Sequence, residues 1–215
     1  MKLYYYKNFK CKQKSKKLLE EVLKDYMENA EENTCNFEIL KASGGKPYVN
    51  DKNIYFNISH SGNYWICGIG NKPLGVDIEI ITENDHDKLV DKYFSNEEKT
   101  YLNKGKLNNK KDCFYEIWTL KEAYSKLLGE SIFKNLKFNT ISNGDLKSFE
   151  DIKSIETSQS VKSRDSFKNS NDILNMKKIM KIYFKKCNCF VGAKCTLAKA
   201  GEKIDLEIRE IKSIE

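Results

Sequence analysis

The sequence predicts an α+β fold that is divided into two α+β halves. Apolar residues recur at helical spacing over residues 15 to 29, and apolar and polar residues then alternate, as in β-strands, over residues 53 to 80. Helical patterns return over residues 85 to 129, and further strand-like segments follow near the end of the chain. We therefore expect an N-terminal half at residues 1 to 84 and a C-terminal half at residues 85 to 215.

The first half begins with an amphipathic helix. In "SKKLLEEVLKDYMEN", residues 15 to 29, the apolar side chains share one helical face and the charged side chains occupy the other. Two strands follow, because "NIYFNIS" and "YWICGIG" are strand-like and the residues Ser61-Gly62-Asn63 between them are typical of a turn.

The third strand of this half carries two acids. In "LGVDIEI", residues 74 to 80, the larger apolar side chains alternate with Gly75, Asp77 and Glu79. Successive side chains of a strand point to opposite faces, so both carboxylates are predicted to share one face.

The second half opens with three helices and ends with three strands. The helices are predicted in "DHDKLVDKYF", "SNEEKTYL" and "KKDCFYEIWTLKEAYSKLLG", where Gly129 is a C-terminal stop. The strands are predicted in "IMKIYFKK", "CFVGAKCTLA" and "KIDLEIREI". Residues 142 to 172 are rich in Ser, Asn and charge, which predicts a surface insertion that is at least partly mobile.

Composition indicates a globular, soluble protein. Hydrophobic residues make up 40% of the chain and aromatic residues 12%. No segment approaches the roughly 18 apolar residues of a membrane helix, and the first residues lack a signal-peptide pattern. We therefore expect a cytoplasmic protein with no membrane partner.

Charge and cysteine usage restrict the partners further. The net charge of +7 suits an acidic protein or a phosphate-rich ligand, but the scarcity of arginine weakens sequence-specific nucleic-acid binding. Seven cysteines without a secretory context predict reduced thiols. Cys187, Cys189 and Cys195 cluster in sequence but lack a nearby histidine, so core thiols are favoured over a zinc site.

Asp77 and Glu79 indicate either a half-exposed sheet surface or a metal site. Carboxylate oxygens suit Mg²⁺, which takes one or two protein carboxylates and completes its octahedron with water and phosphate oxygens. Glu122 and Lys126, four residues apart on one helix face, supply a third acid and a cation, or form an ordinary surface ion pair. His60 and Lys46 are candidate phosphate ligands, or simply a loop histidine and a turn lysine.

The segments "GGKPY", "FNISHSG", "GVDIE", "YFSNEE" and "WTLKEAYSK" occur in this order over residues 44 to 129. Their succession resembles the 4′-phosphopantetheinyl transferases, in particular the longer, monomeric type that activates carrier proteins of peptide, polyketide and fatty-acid synthesis. The resemblance implies a pseudo-twofold pair of α+β halves with coenzyme A in the cleft between them. It also implies transfer of the phosphopantetheine arm of coenzyme A to a serine of an apo acyl or peptidyl carrier protein, with release of adenosine 3′,5′-bisphosphate.

The same resemblance implies roles for individual residues. Asp77, Glu79 and Glu122 would hold Mg²⁺ against the pyrophosphate, and Lys126 would neutralise charge on it. Ser59 and His60 match positions that contact the coenzyme, with His60 at the 3′-phosphate. Lys46 matches a lysine near the nucleotide, and Lys16 stands where an arginine is common, although Lys16 also belongs to a run of lysines typical of a solvated surface.

Two residues are candidates for the base that accepts the serine proton. Glu98 matches the proposed base of the family, but Ser95-Asn96-Glu97-Glu98 is also a capping box, in which Glu98 would bond to the N-cap amide. Glu122 is the alternative base. The alternative functions are a degenerate homologue that binds coenzyme A without transferring it and, more distantly, a basic nucleic-acid-binding module.

Overall fold

A computed structural model describes residues 1–29, 37–41, 46–50, 53–104, 110–136, 138–146 and 182–212. Within these ranges, no helix is both long enough and apolar enough to cross a membrane. Most of the predicted insertion, from residue 147 to residue 172, lies outside the described residues, and its first residues form a small hairpin.

The first part of the chain contributes six strands and one helix, in the order β1 (Lys2–Tyr6), α1 (Lys14–Glu28), β2 (Ile39–Lys41), β3 (Pro47–Val49), β4 (Tyr55–Ser61), β5 (Tyr64–Gly70) and β6 (Leu74–Ile80). The helices that follow are α2 (Asp87–Tyr93), α3 (Asn96–Lys104), α4 (Lys110–Leu128) and α5 (Ile132–Asn135). The last strands are β7 (Ile141–Ser142), β8 (Asp145–Leu146), β9 (Ile182–Cys187), β10 (Ala193–Ala200) and β11 (Glu207–Ile211).

These elements confirm the α+β class and most of the predicted helices and strands. Helix α4 ends as the sequence predicts, because Gly129 adopts a φ of 71° and the amide of Glu130 donates to the carbonyl of Ser125 at 3.0 Å. The strand predicted from Cys189 is wrong at its start. Residues 190–192 form a turn, in which Gly192 adopts a φ of 68°, so β9 and β10 form a hairpin.

Two sheets organise the fold. The first has the strand order β11-β1-β5-β4, in which β11 runs parallel to β1, and the second has the antiparallel order β6-β10-β9. Strands from both sides of residue 84 therefore enter each sheet. The division of the chain at that residue stays a prediction.

The fold is layered because successive side chains of each strand point to opposite faces of its sheet. Helix α1 packs Leu19 and Leu23 on one face of the first sheet, in a cluster with Trp65 of β5. The next residue, Ile66, points the other way and packs between the sheets with Val76 of β6. Helix α4 covers the far face of the second sheet through an apolar cluster of Leu120, Ala123, Tyr124, Leu127, Ile182, Phe184, Ala198 and Ala200.

Gly75 allows α4 to lie directly on β6. A Cβ atom at this position would overlap the carbonyl oxygen of Ala123 and the backbone nitrogen of Leu127. Both are helix backbone atoms, which cannot move aside as a flexible side chain can. The close approach brings the carboxylate face of β6 against α4.

We predict that Gly75→Ala lowers the free energy of unfolding by about 3 kcal/mol, because the new methyl group forces α4 away from β6. Gly70→Ala is the matched control. There the added Cβ would meet Leu74 at an ordinary 3.5 Å, so its effect should stay within about 1 kcal/mol. Urea unfolding of the two variants decides the matter, and equal stabilities would contradict the assigned close approach.

Candidate active site

Side chains of β4 join the two sheets. Asn57, Ser59 and Ser61 share one face of β4 by alternation, and β4 and β6 belong to different sheets. The amide of Val76 donates to the Asn57 side-chain oxygen at 3.0 Å, and the amide of Ile80 donates to Ser61 Oγ at 3.1 Å. Polar side chains thus take the place of a backbone ladder along this seam.

Asp77 lies at the centre of the seam, with only 2% of its surface exposed. Its Oδ1 atom accepts hydrogen bonds from Ser59 Oγ at 2.9 Å and from Lys126 Nζ of α4 at 2.7 Å. Its Oδ2 atom is buried without a hydrogen-bond partner. Burial raises the pKa of Asp77, and the bonds from Lys126 and Ser59 oppose that rise.

Glu79 and Glu122 are partly exposed and electrostatically coupled to Asp77. Ser61 Oγ donates to Glu79 Oε2 at 2.7 Å. Burial, and then the charge of Asp77, raise the pKa of Glu79. Burial raises the pKa of Glu122 to about 7, with a further rise from Asp77 and Glu79 and an opposing effect of Lys126. The structure therefore brings together the three predicted carboxylates and the predicted lysine.

This donor set suits a hard divalent cation in its chemistry. It offers carboxylate oxygens, one of them buried and unbonded, and the mutual repulsion of the acids would be relieved by a positive ion. In the part of the chain that the structure describes, however, no group of three or more His, Cys, Asp or Glu side chains has an arrangement ready to hold a metal ion. The metal ligand set stays a prediction.

The candidate phosphate ligands lie at different distances from this cluster. Lys46 Nζ donates to the carbonyl oxygen of Lys126 at 2.7 Å, which ties the segment before β3 to α4. His60 is exposed overall. Partial desolvation of its ring, and then the charges of Lys12 and Lys126, lower its pKa. Lys16 projects from α1 with 80% of its side chain exposed and pairs with Glu20.

Lys12 is therefore a basic neighbour of His60 that sequence reasoning did not single out. It belongs to the same run of lysines as Lys16 and acts on the charge state of His60. The lysines of this run look equivalent in sequence. Only the folded structure shows which of them lies near His60.

Glu98 has the contacts of a capping box. The amide of Ser95 donates to Glu98 Oε2 at 2.9 Å, and the amide of Glu98 donates to Ser95 Oγ at 3.2 Å. Its Oε1 atom accepts from the amide and the hydroxyl of Thr140 at 2.8 and 2.9 Å. The side chain is fully buried. These contacts favour the capping-box alternative, and the role of Glu98 as a base stays a prediction.

Lys121 is the partner that sequence reasoning missed. It is fully buried on α4, lies 2.9 Å from Glu98 Oε1, and donates to the carbonyl oxygens of Leu136 and Phe138. A signal was present, because Lys121 follows Ile117 by four residues and so continues an apolar helical stripe. A lysine in such a stripe predicts a buried acid as its partner.

Comparison with known proteins bears on this site. The model of a family described as the 4′-phosphopantetheinyl transferase superfamily matches residues 73–174. This segment of the chain is similar to that superfamily. The matched segment contains Asp77, Glu79, Glu98, Glu122 and Lys126, and it begins after Ser59 and His60.

Several curated relatives carry the same name. The chain is 40% identical over 98 residues to the 4′-phosphopantetheinyl transferase gsp of Aneurinibacillus migulanus, which is 46% of this chain and 40% of that protein. It is 35% identical over 89 residues to the 4′-phosphopantetheinyl transferase Sfp of Bacillus subtilis, which is 41% of this chain and 39% of that protein. The similarity thus spans about two fifths of the length of these relatives.

We predict that Lys121→Met lowers the free energy of unfolding by about 3 kcal/mol, because it leaves Glu98 buried without its cation. Lys16→Met makes the same substitution in an exposed pair with Glu20 and should change stability by less than about 0.5 kcal/mol. In the double variant Lys121→Met, Glu98→Gln, part of the loss should return. Strictly additive losses in urea unfolding would show that the two side chains are not coupled.

Proposed function

We propose that this protein transfers the 4′-phosphopantetheine arm of coenzyme A to a serine of an apo acyl or peptidyl carrier protein and releases adenosine 3′,5′-bisphosphate. The observation that carries the proposal is the Asp77 carboxylate, buried between the two sheets and α4, with Lys126 on one oxygen and no partner on the other. The similarity of residues 73–174 to the 4′-phosphopantetheinyl transferase superfamily supports the same reaction class.

The proposed reaction forms a bond between the serine oxygen and the phosphorus that carries the pantetheine arm, and breaks the bond from this phosphorus to the bridging oxygen. Negative charge then collects on the departing nucleotide phosphate. Lys126, which Asp77 holds by a hydrogen bond, would donate to such an oxygen, because a fixed cation at developing charge lowers the barrier.

Asp77, Glu79 and Glu122 would hold Mg²⁺. When bound, the ion would neutralise charge on the pyrophosphate oxygens and orient them for displacement. The contribution of the protein's own residues would be to keep these carboxylates aligned. Ser59 and Ser61 do this from β4, because each donates a hydrogen bond to one of the two acids of β6.

We propose Glu122 as the acceptor of the serine proton, in preference to Glu98. A base must come within hydrogen-bond reach of the hydroxyl or of one bridging water. Glu122 is partly exposed beside the acidic cluster, whereas Glu98 is fully buried and both its oxygens accept hydrogen bonds. Glu98 then has a structural role at the start of α3.

The coenzyme phosphates have candidate partners on the N-terminal side. We propose that His60 contacts the 3′-phosphate, that Lys46 and Ser59 lie near the nucleotide, and that Lys16 contributes more weakly because it projects into solvent. The net charge of +7 would attract an acidic carrier protein. Action as a cytoplasmic monomer stays part of the proposal.

We expect the full chain, incubated with coenzyme A, Mg²⁺ and a panel of apo carriers, to add one phosphopantetheinyl group to a carrier serine, as measured by intact-protein mass spectrometry. Asp77→Asn should reduce the rate by about 100-fold or more, because it removes charge from the proposed metal site. Asp112→Asn, which alters an acid of α4 paired with Lys194, should keep its activity.

Excess chelator should also stop the transfer. Modification that persists in chelator, or in the Asp77→Asn variant, would overturn the proposed metal site. Binding of coenzyme A by calorimetry without modification of any carrier would replace the proposed function by that of a degenerate coenzyme A-binding homologue.

We predict that His60→Ala raises KM for coenzyme A by about tenfold and leaves KM for dephospho-coenzyme A unchanged, because one charge-assisted contact to the 3′-phosphate is lost. Lys99→Ala, on the surface of α3, serves as the control. Equal increases with the two substrates would move His60 to the pyrophosphate or to a folding role.

A further inference from the structure

Three thiols meet where the β9–β10 hairpin turns. Cys187 ends β9 and faces Cys195 of β10 in the register of the sheet. Cys189 is the second residue after the strand, and its Sγ atom lies 2.8 Å from Cys187 Sγ. All three are free thiols in the structure. They lie outside the segment that matches the superfamily.

The three thiols differ in their access to solvent. Cys195 and Cys187 are buried, with 3% and 5% of their surfaces exposed, whereas Cys189 is exposed on the turn. Asn188 alone separates Cys187 from Cys189. Cys189 is therefore the thiol of the three that a solute reaches directly.

The surroundings favour one thiolate in the cluster. Hydrogen bonds from Cys195 and Cys189, with a smaller contribution from the charge of Lys185, lower the pKa of Cys187 to about 6. Burial and the neighbouring Cys187 raise the pKa of Cys189 to about 12. One sulfur therefore acts as nucleophile while an adjacent thiol keeps its proton, which is the arrangement of an oxidisable cysteine beside a resolving one.

We propose that Cys187 and Cys189 are a site of reversible oxidation, at which a hydroperoxide converts the two thiols into an intramolecular disulfide. The inference rests on the contact between the two sulfurs and on the exposure of Cys189.

The reaction balances with hydrogen peroxide as the oxidant. The Cys187 thiolate attacks one peroxide oxygen, an S–O bond forms, the O–O bond breaks, and the departing hydroxide takes up the proton that Cys187 had released. The Cys189 sulfur then attacks the Cys187 sulfur, the S–O bond breaks, and the hydroxide leaves as water with the Cys189 proton. Two thiols lose two electrons in total, and the peroxide gains them to give two waters.

Tryptic peptides of the full chain distinguish the possible products. Cleavage after Lys186 and Lys194 gives "CNCFVGAK", which contains Cys187 and Cys189, and leaves Cys195 in "CTLAK". After brief treatment with hydrogen peroxide and alkylation of the remaining thiols, we expect "CNCFVGAK" to lose two hydrogens and to carry no alkyl group. A dithiol reductant should restore two alkylation sites.

We expect this loss to appear at least about tenfold faster than oxidation of the partly exposed Cys11, because the pKa of Cys187 is lowered and a second thiol lies 2.8 Å from its sulfur. Cys189→Ser should abolish the loss of two hydrogens, and Cys11→Ser should leave it unchanged. A cross-link between "CNCFVGAK" and "CTLAK", an intermolecular disulfide, or oxidation of all the cysteines at one rate would each overturn the proposal.

Discussion

The buried ion pair between Asp77 and Lys126 is the interaction on which the arrangement of the site depends. A carboxylate with 2% of its surface exposed is unfavourable unless a cation and hydrogen bonds compensate for the lost water. Lys126 supplies the cation from α4, and Ser59 supplies a hydrogen bond from β4. The two groups come from different layers, so satisfying one acid fixes a helix and both sheets at the same point.

Helix α4 is oriented by two lysines that serve different partners. Lys121 and Lys126 lie five residues apart, so they project in different directions from the helix axis. The first holds α3 and the segment after α5 through Glu98 and backbone carbonyl oxygens, and the second holds β6. Movement of α4 relative to either side would break a buried charge contact, which makes the helix a rigid support for Glu122.

Local sequence patterns predict many of the helices, strands and site residues of this structure, but they do not predict which distant strands pair. Alternation in β6 predicted that Asp77 and Glu79 share a face, helical spacing predicted Glu122 beside Lys126, and the capping box at Ser95 is present. The pairing of β11 with β1 was not predictable, because nothing in "KLYYY" specifies a partner near the other end of the chain. Helical spacing places Lys121 on an apolar stripe, but it does not identify Glu98 as the acid that pairs with it.

The parallel pairing of β1 with β11 also has a consequence for the order of events during synthesis. The Tyr5 hydroxyl donates a hydrogen bond to Glu210 across a separation of 205 residues. Strand β1 therefore cannot pair with β11 until the residues between them have been synthesised. Until then one edge of the first sheet presents unpaired backbone groups, the usual template for association with other chains. Late arrival of such a contact also slows folding. A nascent chain thus presents this unpaired edge until β11 has been synthesised.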